Sequence, residues 1–185
     1  MQLTQEQMDR YLHHIVLKDV GGEGQRKLLA SRVLIVGAGG LGSASAFYLA
    51  AAGVGTVGLC DDDSVELSNL QRQIIHSTKD LGRPKVESAS EKMRALNPDV
   101  NVAAHKERLD ASNAGSIIAD YDFVINGTDN FPAKFLISDT CVAIGRAFAH
   151  GGAVGFRGQA FTHIPGSMCL RCIFPEPPGP GTIQD

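Results

Sequence analysis

The glycine-rich stretch from Val33 to Gly42 constrains the fold of this chain more than any other. The run Val33-Leu34-Ile35-Val36 is typical of a parallel strand that is covered on both faces. Four glycines follow it: Gly37, Gly39, Gly40 and Gly42. Glycine allows unusual backbone conformations and lets a phosphate approach the start of a helix, where free N–H groups attract an anion. The stretch therefore predicts a strand, a nucleotide-binding turn and a helix. The alternative is a tight turn that binds no ligand.

Length and charge limit the class of protein. A chain of 185 residues predicts one domain, which can bury roughly 70% of its unfolded surface. Its 17 basic and 20 acidic residues give a net charge of −3, which indicates neither a nucleic-acid surface nor a basic membrane patch. The sequence has no signal-peptide pattern and no apolar run of about 18 residues. We therefore expect a soluble, cytoplasmic protein.

Strand and helix patterns alternate along the middle of the chain. This alternation predicts an α/β protein with a Rossmann-like, doubly wound, mostly parallel sheet and helices on both faces. An antiparallel extension is expected near the C-terminus, from strands at residues 147–151, 153–156 and 159–163. The other predicted strands cover residues 33–36, 56–60, 100–104 and 123–126, and the predicted helices cover residues 43–52, 84–97, 111–119 and 132–144.

The pattern divides the chain into three segments. Residues 1–30 are predicted to be helical and to contact a second subunit, with a helix at residues 4–17, a break at Gly21, Gly22 and Gly24, and a short helix at residues 25–30. Residues 31–164 form the predicted nucleotide-binding α/β domain. Residues 165–185 contain a C-x-x-C pair and a proline- and glycine-rich run, which predicts an extended crossing segment.

Acidic residues follow two of the predicted strands. Asp61, Asp62 and Asp63 come directly after the second strand, and Asp129 follows the strand at residues 123–126. Ligands of parallel sheets bind beyond the carboxyl ends of the strands. Asp61 lies 19 residues after Gly42, the spacing at which a carboxylate meets a ribose hydroxyl in a nucleotide-binding βαβ unit. The alternative is that Asp61 only caps the next segment.

Two kinds of chemistry are compatible with this edge. Hydride transfer on a nicotinamide fits the glycine turn and Asp61. Nucleotidyl transfer from ATP needs cations, for which Arg72 and Lys85 are candidates, and a carboxylate for Mg²⁺, for which Asp129 is a candidate. Asn69 could donate a hydrogen bond to a phosphate oxygen. The alternatives are a surface ion pair for Arg72, a solvated helix position for Lys85 and a helix N-cap for Asp129.

The four cysteines divide into two groups. Cys60 and Cys141 lie in apolar stretches and are predicted to be buried and unreactive. Cys169 and Cys172 form a C-x-x-C pair in turn-like sequence, where a zinc half-site is favoured over a redox pair because redox pairs open a helix after a strand.

Several motifs together resemble the MoeB/ThiF/HesA family, the bacterial relatives of the ubiquitin-activating enzymes. The similarity runs from about residue 9 to residue 175, in the order of the family, and its Ser-Asn-Leu-Gln-Arg stretch is the most specific part. The motifs are Arg10-Tyr11, Val36–Gly42, Ser68-Asn69-Leu70-Gln71-Arg72-Gln73, Pro84-Lys85, Thr128-Asp129-Asn130 and Cys169-Leu170-Arg171-Cys172.

The resemblance implies a specific reaction. Members use MgATP to adenylate the C-terminal glycine of a small ubiquitin-like sulfur carrier of the MoaD or ThiS type, which ends in Gly-Gly, and they release pyrophosphate. They are typically homodimers, in which the N-terminal segment of one subunit reaches the ATP of the other. A sulfur donor is a further partner compatible with this chemistry. The alternative is a nucleotide- or dinucleotide-binding domain without adenylation activity.

The resemblance also implies roles for single residues. Arg72, Lys85 and Asp129 are the catalytic candidates, with Asp129 as the Mg²⁺ ligand, and Cys169 with Cys172 would supply half of a Zn²⁺ site. The candidates for nucleotide binding are Gly37, Gly39, Gly40, Gly42, Asp61, Asp63, Ser68, Asn69, Leu70, Gln71, Arg72, Lys85, Asp129, Asn130 and His13.

The sequence departs from the family at three points. His13 stands where the family usually has an arginine that reaches phosphate from the other subunit, and a histidine is shorter and often neutral near pH 7. The second cysteine pair of the family would lie beyond Asp185, as would the segment in which some members carry a sulfur-transfer cysteine. We therefore expect that the sequence stops inside the crossing segment, either as a fragment or as a shortened homologue.

Overall fold

The computed structural model describes residues 2–177 and contains a six-stranded sheet in the order β3-β2-β1-β4-β5-β6. The strands are β1 (Arg32–Val36), β2 (Thr56–Cys60), β3 (Asn101–His105), β4 (Phe123–Asn126), β5 (Ala147–Val154) and β6 (Arg157–His163). Strands β1 to β5 pair in parallel, and β6 is antiparallel to β5. This topology confirms the predicted mostly parallel sheet with an antiparallel extension. The last part of the predicted proline- and glycine-rich crossing segment lies outside the described residues.

Helices cover both faces of the sheet. They are α1 (Gln5–Arg10), α2 (Leu12–Ile15), α3 (Gly21–Ala30), α4 (Gly40–Ala52), α5 (Lys85–Leu96), α6 (Ala114–Ala119), α7 (Phe131–Ala143) and α8 (Leu170–Ile173), with short 3-10 turns at Leu67–Asn69 and Thr78–Asp80. No helix within residues 2–177 has both the length and the apolar character that crossing a membrane requires.

The core consists of two apolar layers because successive side chains of a buried strand point to opposite faces. On one face, Ile35 and Leu59 belong to a cluster with apolar side chains of α4 and α5. On the other face, Leu34 and Val124 belong to a cluster with side chains of α6 and α7. Both faces of the central strand β1 are therefore buried, which explains its continuous run of branched apolar residues.

The turn between β1 and α4 depends on glycine. Gly37 has a φ of 91°, a left-handed conformation that side chains disfavour. A Cβ atom added to Gly42 would lie 1.8 Å from the carbonyl oxygen of Gly37, so the first turn of α4 rests directly against the end of β1. This close approach places the N-terminal end of α4 at the carboxyl edge of the sheet.

The N-terminal helices are attached to the core through Tyr11. Its side chain is 2% exposed and its hydroxyl accepts a 2.8 Å hydrogen bond from Nδ2 of Asn97. The ring also packs against Gly53, where an added Cβ would lie 2.5 Å from the ring. By contrast, Met8, Leu12 and Val16 are exposed at helical spacing, with 39%, 52% and 68% of their surface accessible. The outer side of α1 and α2 therefore presents an apolar stripe.

Four details of the secondary structure differ from the sequence prediction. The predicted helix at residues 4–17 is divided into α1 and α2, because the backbone of Tyr11 (φ −103°, ψ 19°) leaves the helical conformation. The glycines at positions 21, 22 and 24 lie within the first turn of α3 instead of breaking the chain, because Gly21 (φ 59°) allows the sharp entry into the helix. Strand β5 continues to Val154, and the hairpin turn falls at Gly155 (φ 56°). Helix α6 begins three residues late because the side chain of Asp110 accepts the backbone N–H of Ser112 and holds a local turn.

The packing of Gly42 gives a test of the fold. We expect Gly42→Ala to lower the free energy of unfolding by about 1–3 kcal/mol, because the new methyl group would overlap a backbone carbonyl that cannot move easily. Gly115→Ala is the matched helical control. No described atom lies within 4 Å of a Cβ at this position, and alanine should stabilise α6 by up to about 1 kcal/mol. Urea unfolding of both variants measures the difference, and equal stabilities would contradict the close packing.

Candidate functional site

A cleft of about 290 Å³ opens at the carboxyl ends of β1, β2 and β4. The chain continues from β1 to β2 on one side and from β4 to β5 on the other side. This reversal of direction between β1 and β4 creates the crevice in which open α/β sheets bind ligands. The cleft is lined by seven of the predicted nucleotide-binding residues: Gly37, Gly39, Asp61, Asp63, Lys85, Asp129 and Asn130. The fold thus brings the glycine turn and both acidic positions to one place.

Asp61 holds the glycine turn. Its Oδ2 accepts the N–H of Ala38 at 2.7 Å, and its Oδ1 accepts the N–H of Asp63 at 2.8 Å. Burial raises the pKa of Asp61, and these two hydrogen bonds together with the charge of Lys85 oppose that rise. The carboxylate therefore has a structural contact at each oxygen, and the predicted contact with a ribose hydroxyl would use its remaining lone pairs.

Lys85 is paired within the chain. Its Nζ lies 2.7 Å from Oδ2 of Asp63, and the lysine is 6% exposed. The alternative of a solvated helix position is therefore wrong. Asp63 therefore supplies a negative charge to Lys85 at the start of α5, and a triphosphate would compete with that carboxylate for the ammonium group.

Arg72 lies against the glycine turn. Its Cγ is 3.6 Å from the position that a Cβ of Gly40 would occupy, so the missing side chain of Gly40 makes room for the arginine. The guanidinium donates from Nη1 to the backbone oxygen of Ser68 at 3.3 Å and to Oε1 of Gln71 at 3.1 Å. These partners are neutral, and Arg72 is exposed. Its positive charge is thus available to an anion at the start of α4.

The remaining predicted residues between β2 and α5 shape this segment. Asn69 accepts the N–H of Glu66 at 3.2 Å through Oδ1 and closes the 3-10 turn. Leu70 is half-buried beneath the turn, and Ser68 is exposed and donates to Oε2 of Glu66. The local hydrogen bonds of the Ser-Asn-Leu-Gln-Arg stretch therefore hold Arg72 against the glycine turn.

Asp129 and Asn130 are neighbours in the chain but have different structural roles. Oδ1 of Asn130 accepts the N–H of Ala133 at 3.0 Å and caps α7. The alternative that Asp129 is the N-cap is therefore wrong, and its exposed carboxylate lines the cleft. Carboxylate oxygens are the ligands that Mg²⁺ prefers. Asp129 therefore fits the predicted magnesium ligand, and the cleft next to it has room for phosphate groups.

Several lining residues were not among the sequence predictions. Glu107 and Arg108 follow β3 and enter the same cleft, as do Asp62 and the buried Gln73. The rule that singled out Asp61 and Asp129, a polar residue after a parallel strand, would also have found Glu107 and Arg108.

His76 does not line the cleft, and no sequence pattern indicated its position. It lies in the long connection between β2 and α5, and only the folded chain places its ring 3.1 Å from the carbonyl oxygen of Ala38 in the glycine turn.

Comparison with known proteins identifies the family. A family model described as the ThiF family matches residues 11–185. This chain belongs to the ThiF family. The resemblance predicted from the motifs is thereby confirmed.

Two curated relatives with high identity share this family. A protein of Haloferax volcanii described as a SAMP-activating enzyme E1 is 49% identical over 185 residues, which cover 100% of this chain and 68% of the relative. A protein of Thermus thermophilus described as a sulfur carrier protein adenylyltransferase is 45% identical over 189 residues, which cover 99% of this chain and 70% of the relative. These names agree with the predicted adenylation chemistry.

A solved structure supports the fold of this ThiF-family chain. The crystal structure of E. coli MccB with MccA-N7isoASN superimposes with a TM-score of 0.81 at 23% sequence identity, and the match covers 92% of this chain and 51% of that chain. The chain thus spans about half of the solved protein.

The C-x-x-C pair lies apart from the cleft and opens the short helix α8, whose N-cap is Cys169. The prediction that the pair lies in turn-like sequence is therefore wrong, because the buried Leu170 anchors this helix to Ser138 of α7. The local structure alone does not separate a zinc half-site from a redox pair. The two Sγ atoms are 3.7 Å apart, close to the spacing of about 3.8 Å that two thiolates adopt on one tetrahedral zinc ion. Burial raises the pKa of Cys169, but hydrogen bonds from the backbone and thiol of Cys172 outweigh it and lower the pKa. The pair therefore fits half of a zinc site. Burial raises the pKa of both Cys60 and Cys141 to about 12, in agreement with their predicted lack of reactivity.

His13 is exposed on α2 and is not among the residues that line the cleft of its own chain. Its predicted contact with phosphate would therefore need a second subunit, as the resemblance to the family implies.

Asp61 and Asp62 allow a matched test of the glycine turn. We expect Asp61→Asn to weaken nucleotide binding by roughly 1.5–3 kcal/mol, because an amide cannot accept both backbone N–H groups. Asp62 is exposed, so Asp62→Asn should change binding much less. Calorimetric titration of both variants with MgATP measures the effect. Equal losses would mean that the three aspartates act only as a diffuse negative charge.

Proposed function

We propose that this chain is an ATP-dependent adenylating enzyme that activates the C-terminal glycine of a small ubiquitin-like sulfur carrier and releases pyrophosphate. The observation that supports this proposal best is that Lys85 and Asp129 line one cleft with the glycine turn, while Arg72 lies against Gly40 at the start of α4. The names of the ThiF-family relatives from Haloferax and Thermus give the class of substrate.

The chemistry follows from the charges around the cleft. The start of α4 offers N–H groups to phosphate oxygens. Mg²⁺ held by Asp129 would neutralise part of the triphosphate charge. Arg72 and Lys85 then stabilise the negative charge that moves onto pyrophosphate when the carboxylate of the carrier attacks the α-phosphorus. Lys85 can take this role if the triphosphate replaces Asp63 as its partner.

A dinucleotide-binding function without adenylation is the weaker candidate. A nicotinamide dinucleotide would use the glycine turn and Asp61, but it requires neither a metal ligand nor a cation at the end of a triphosphate. Arg72 and Asp129 would then have no group of the ligand to bind.

The proposal includes a homodimer. The exposed apolar stripe of Met8, Leu12 and Val16 supports this assembly, because such a face is expected to be covered. In the dimer, His13 of one subunit would contact the triphosphate bound by the other. The carrier protein would approach the cleft with its C-terminal Gly-Gly, and a sulfur donor would act on the adenylated product.

The cysteine pair is assigned to zinc in the same proposal. Cys169 and Cys172 supply two ligands, and a complete tetrahedral site needs two more. Residues 2–177 offer no third cysteine, histidine or carboxylate close to this pair. In this chain alone, zinc would be held weakly.

Pyrophosphate exchange tests the proposed activity. With ATP, Mg²⁺ and a carrier that ends in Gly-Gly, the wild-type protein should exchange labelled pyrophosphate into ATP. Asp129→Asn should lower the rate about 100-fold, since it removes one transition-state contact in the cleft. Asp120→Asn, an exposed carboxylate outside the cleft, is the control and should keep the wild-type rate. Tight binding of NAD with no response to MgATP would refute the adenylation proposal.

His13 gives a separate prediction for the dimer. His13→Arg should raise the exchange rate, because an arginine carries a permanent charge and can contact two phosphate oxygens. Exchange rates of both proteins at one pH measure the effect. An unchanged rate would place residue 13 away from the phosphates.

A further inference from the structure

The backbone around Ala38, in the middle of the glycine turn, is held on two sides. Its N–H donates to Asp61, as described above, and its carbonyl oxygen lies 3.1 Å from Nε2 of His76. His76 is 6% exposed and comes from the connection between β2 and α5, so it reaches the turn from below the cleft. Two side chains that are distant in sequence therefore fix two successive peptide groups.

The partners of His76 determine its tautomer. A carbonyl oxygen can only accept, so Nε2 carries the proton and donates to Ala38. In the neutral ring Nδ1 accepts, and the hydroxyl of Ser88 lies 2.9 Å away as its donor. The Ser88 oxygen in turn accepts from Nζ of Lys92 at 3.0 Å, and Lys92 forms an ion pair with the buried Asp80. This chain of contacts holds the imidazole ring in one orientation.

The charges around the ring favour the neutral form that this arrangement needs. Burial lowers the pKa of His76, and the charges of Lys92 and Lys85 lower it further. The hydrogen bond with Ala38 and the charge of Asp80 act in the opposite direction and are outweighed.

The hydrogen bond to Ala38 has a consequence in the cleft. In a trans peptide group the N–H points opposite to the C=O, so the N–H of Gly39 points away from His76. Gly39 lines the cleft, and its N–H has no hydrogen-bond partner within residues 2–177. His76 therefore determines the direction of a free backbone donor at the place where an anion would bind.

We propose that His76 is a positioning residue that orients the Gly39 N–H toward the bound triphosphate through its hydrogen bond to Ala38. This inference rests on the proposed ATP-dependent function and adds to it a residue that no sequence motif indicated. His76 does not touch the nucleotide itself. Ser88 supports it by fixing the tautomer and the orientation of the ring.

Two substitutions at position 76 separate this role from simple packing. In His76→Gln the amide nitrogen occupies the place of Nε2 and can still donate to Ala38. In His76→Asn the shorter side chain reaches the place of Nδ1 and cannot. We expect His76→Asn to weaken MgATP binding at least about tenfold, the loss of one hydrogen bond to a charged group, while His76→Gln retains most of the affinity. The KM for ATP should rise, and the KM for the carrier should not.

Two serines on α5 provide a matched pair. Ser88 contacts His76, whereas Ser90 is equally buried but donates to the backbone oxygen of Val86. Ser88→Ala should weaken MgATP binding and Ser90→Ala should not. If His76→Asn does not fold, this pair and His76→Gln carry the test.

The outcomes are distinguishable. If the wild type binds MgATP, either of two results overturns the positioning role and leaves the proposed function standing. The first is that folded His76→Asn binds MgATP as tightly as the wild type. The second is that Ser88→Ala and Ser90→Ala bind MgATP with the same affinity. A lower melting temperature with unchanged ATP affinity would likewise assign His76 to stability alone. If the wild type itself neither binds MgATP nor exchanges pyrophosphate, the proposed function fails, and the role of His76 fails with it.

Discussion

The close approach of α4 to the end of β1 is the contact on which the rest of the site depends. Only a glycine at position 42 lets the first helical turn rest on the carbonyl of Gly37, because a Cβ would lie 1.8 Å from that oxygen. The helix start then points its free N–H groups at the carboxyl edge of the sheet. Every other group of the cleft is arranged around this fixed end, since β2 and β4, the neighbours of β1, deliver Asp61 and Asp129 beside it.

The charges that line the cleft suit an anionic ligand that is already bound to a metal cation. Asp62, Asp63 and Glu107 line the cleft together with Lys85 and Arg108. A triphosphate alone would be repelled by these carboxylates, whereas its magnesium complex carries less negative charge, and in the proposed function Asp129 would be a ligand of that metal. The pairing of Lys85 with Asp63 keeps the buried ammonium group satisfied before a ligand binds. In the proposed function, phosphate oxygens would replace this carboxylate as the partner of the same lysine.

Much of this fold could be predicted because its main signals are local. Buried runs such as Val33–Val36 and Phe123–Asn126 mark the central strands, and the glycine turn marks the edge of the site. The sequence prediction failed where contacts between distant parts of the chain decide. The role of His76 depends on Ser88 and Ala38, which are 12 and 38 residues away. The prediction that the glycines of α3 break the chain was wrong because glycine can begin a helix as well as break one.

The glycine turn owes its shape to side chains from elsewhere in the chain. Asp61 comes from the end of β2 and His76 from the connection that follows, and each fixes one peptide group of the turn. The site is therefore preorganised only when β2, this connection and α5 are folded together. A ligand that binds the turn selects this folded arrangement and must stabilise it by the free energy of binding. Nucleotide affinity and the stability of the segment from residue 61 to residue 92 are thus coupled, and ion pairs such as that of Asp80 with Lys92 support the site without touching it.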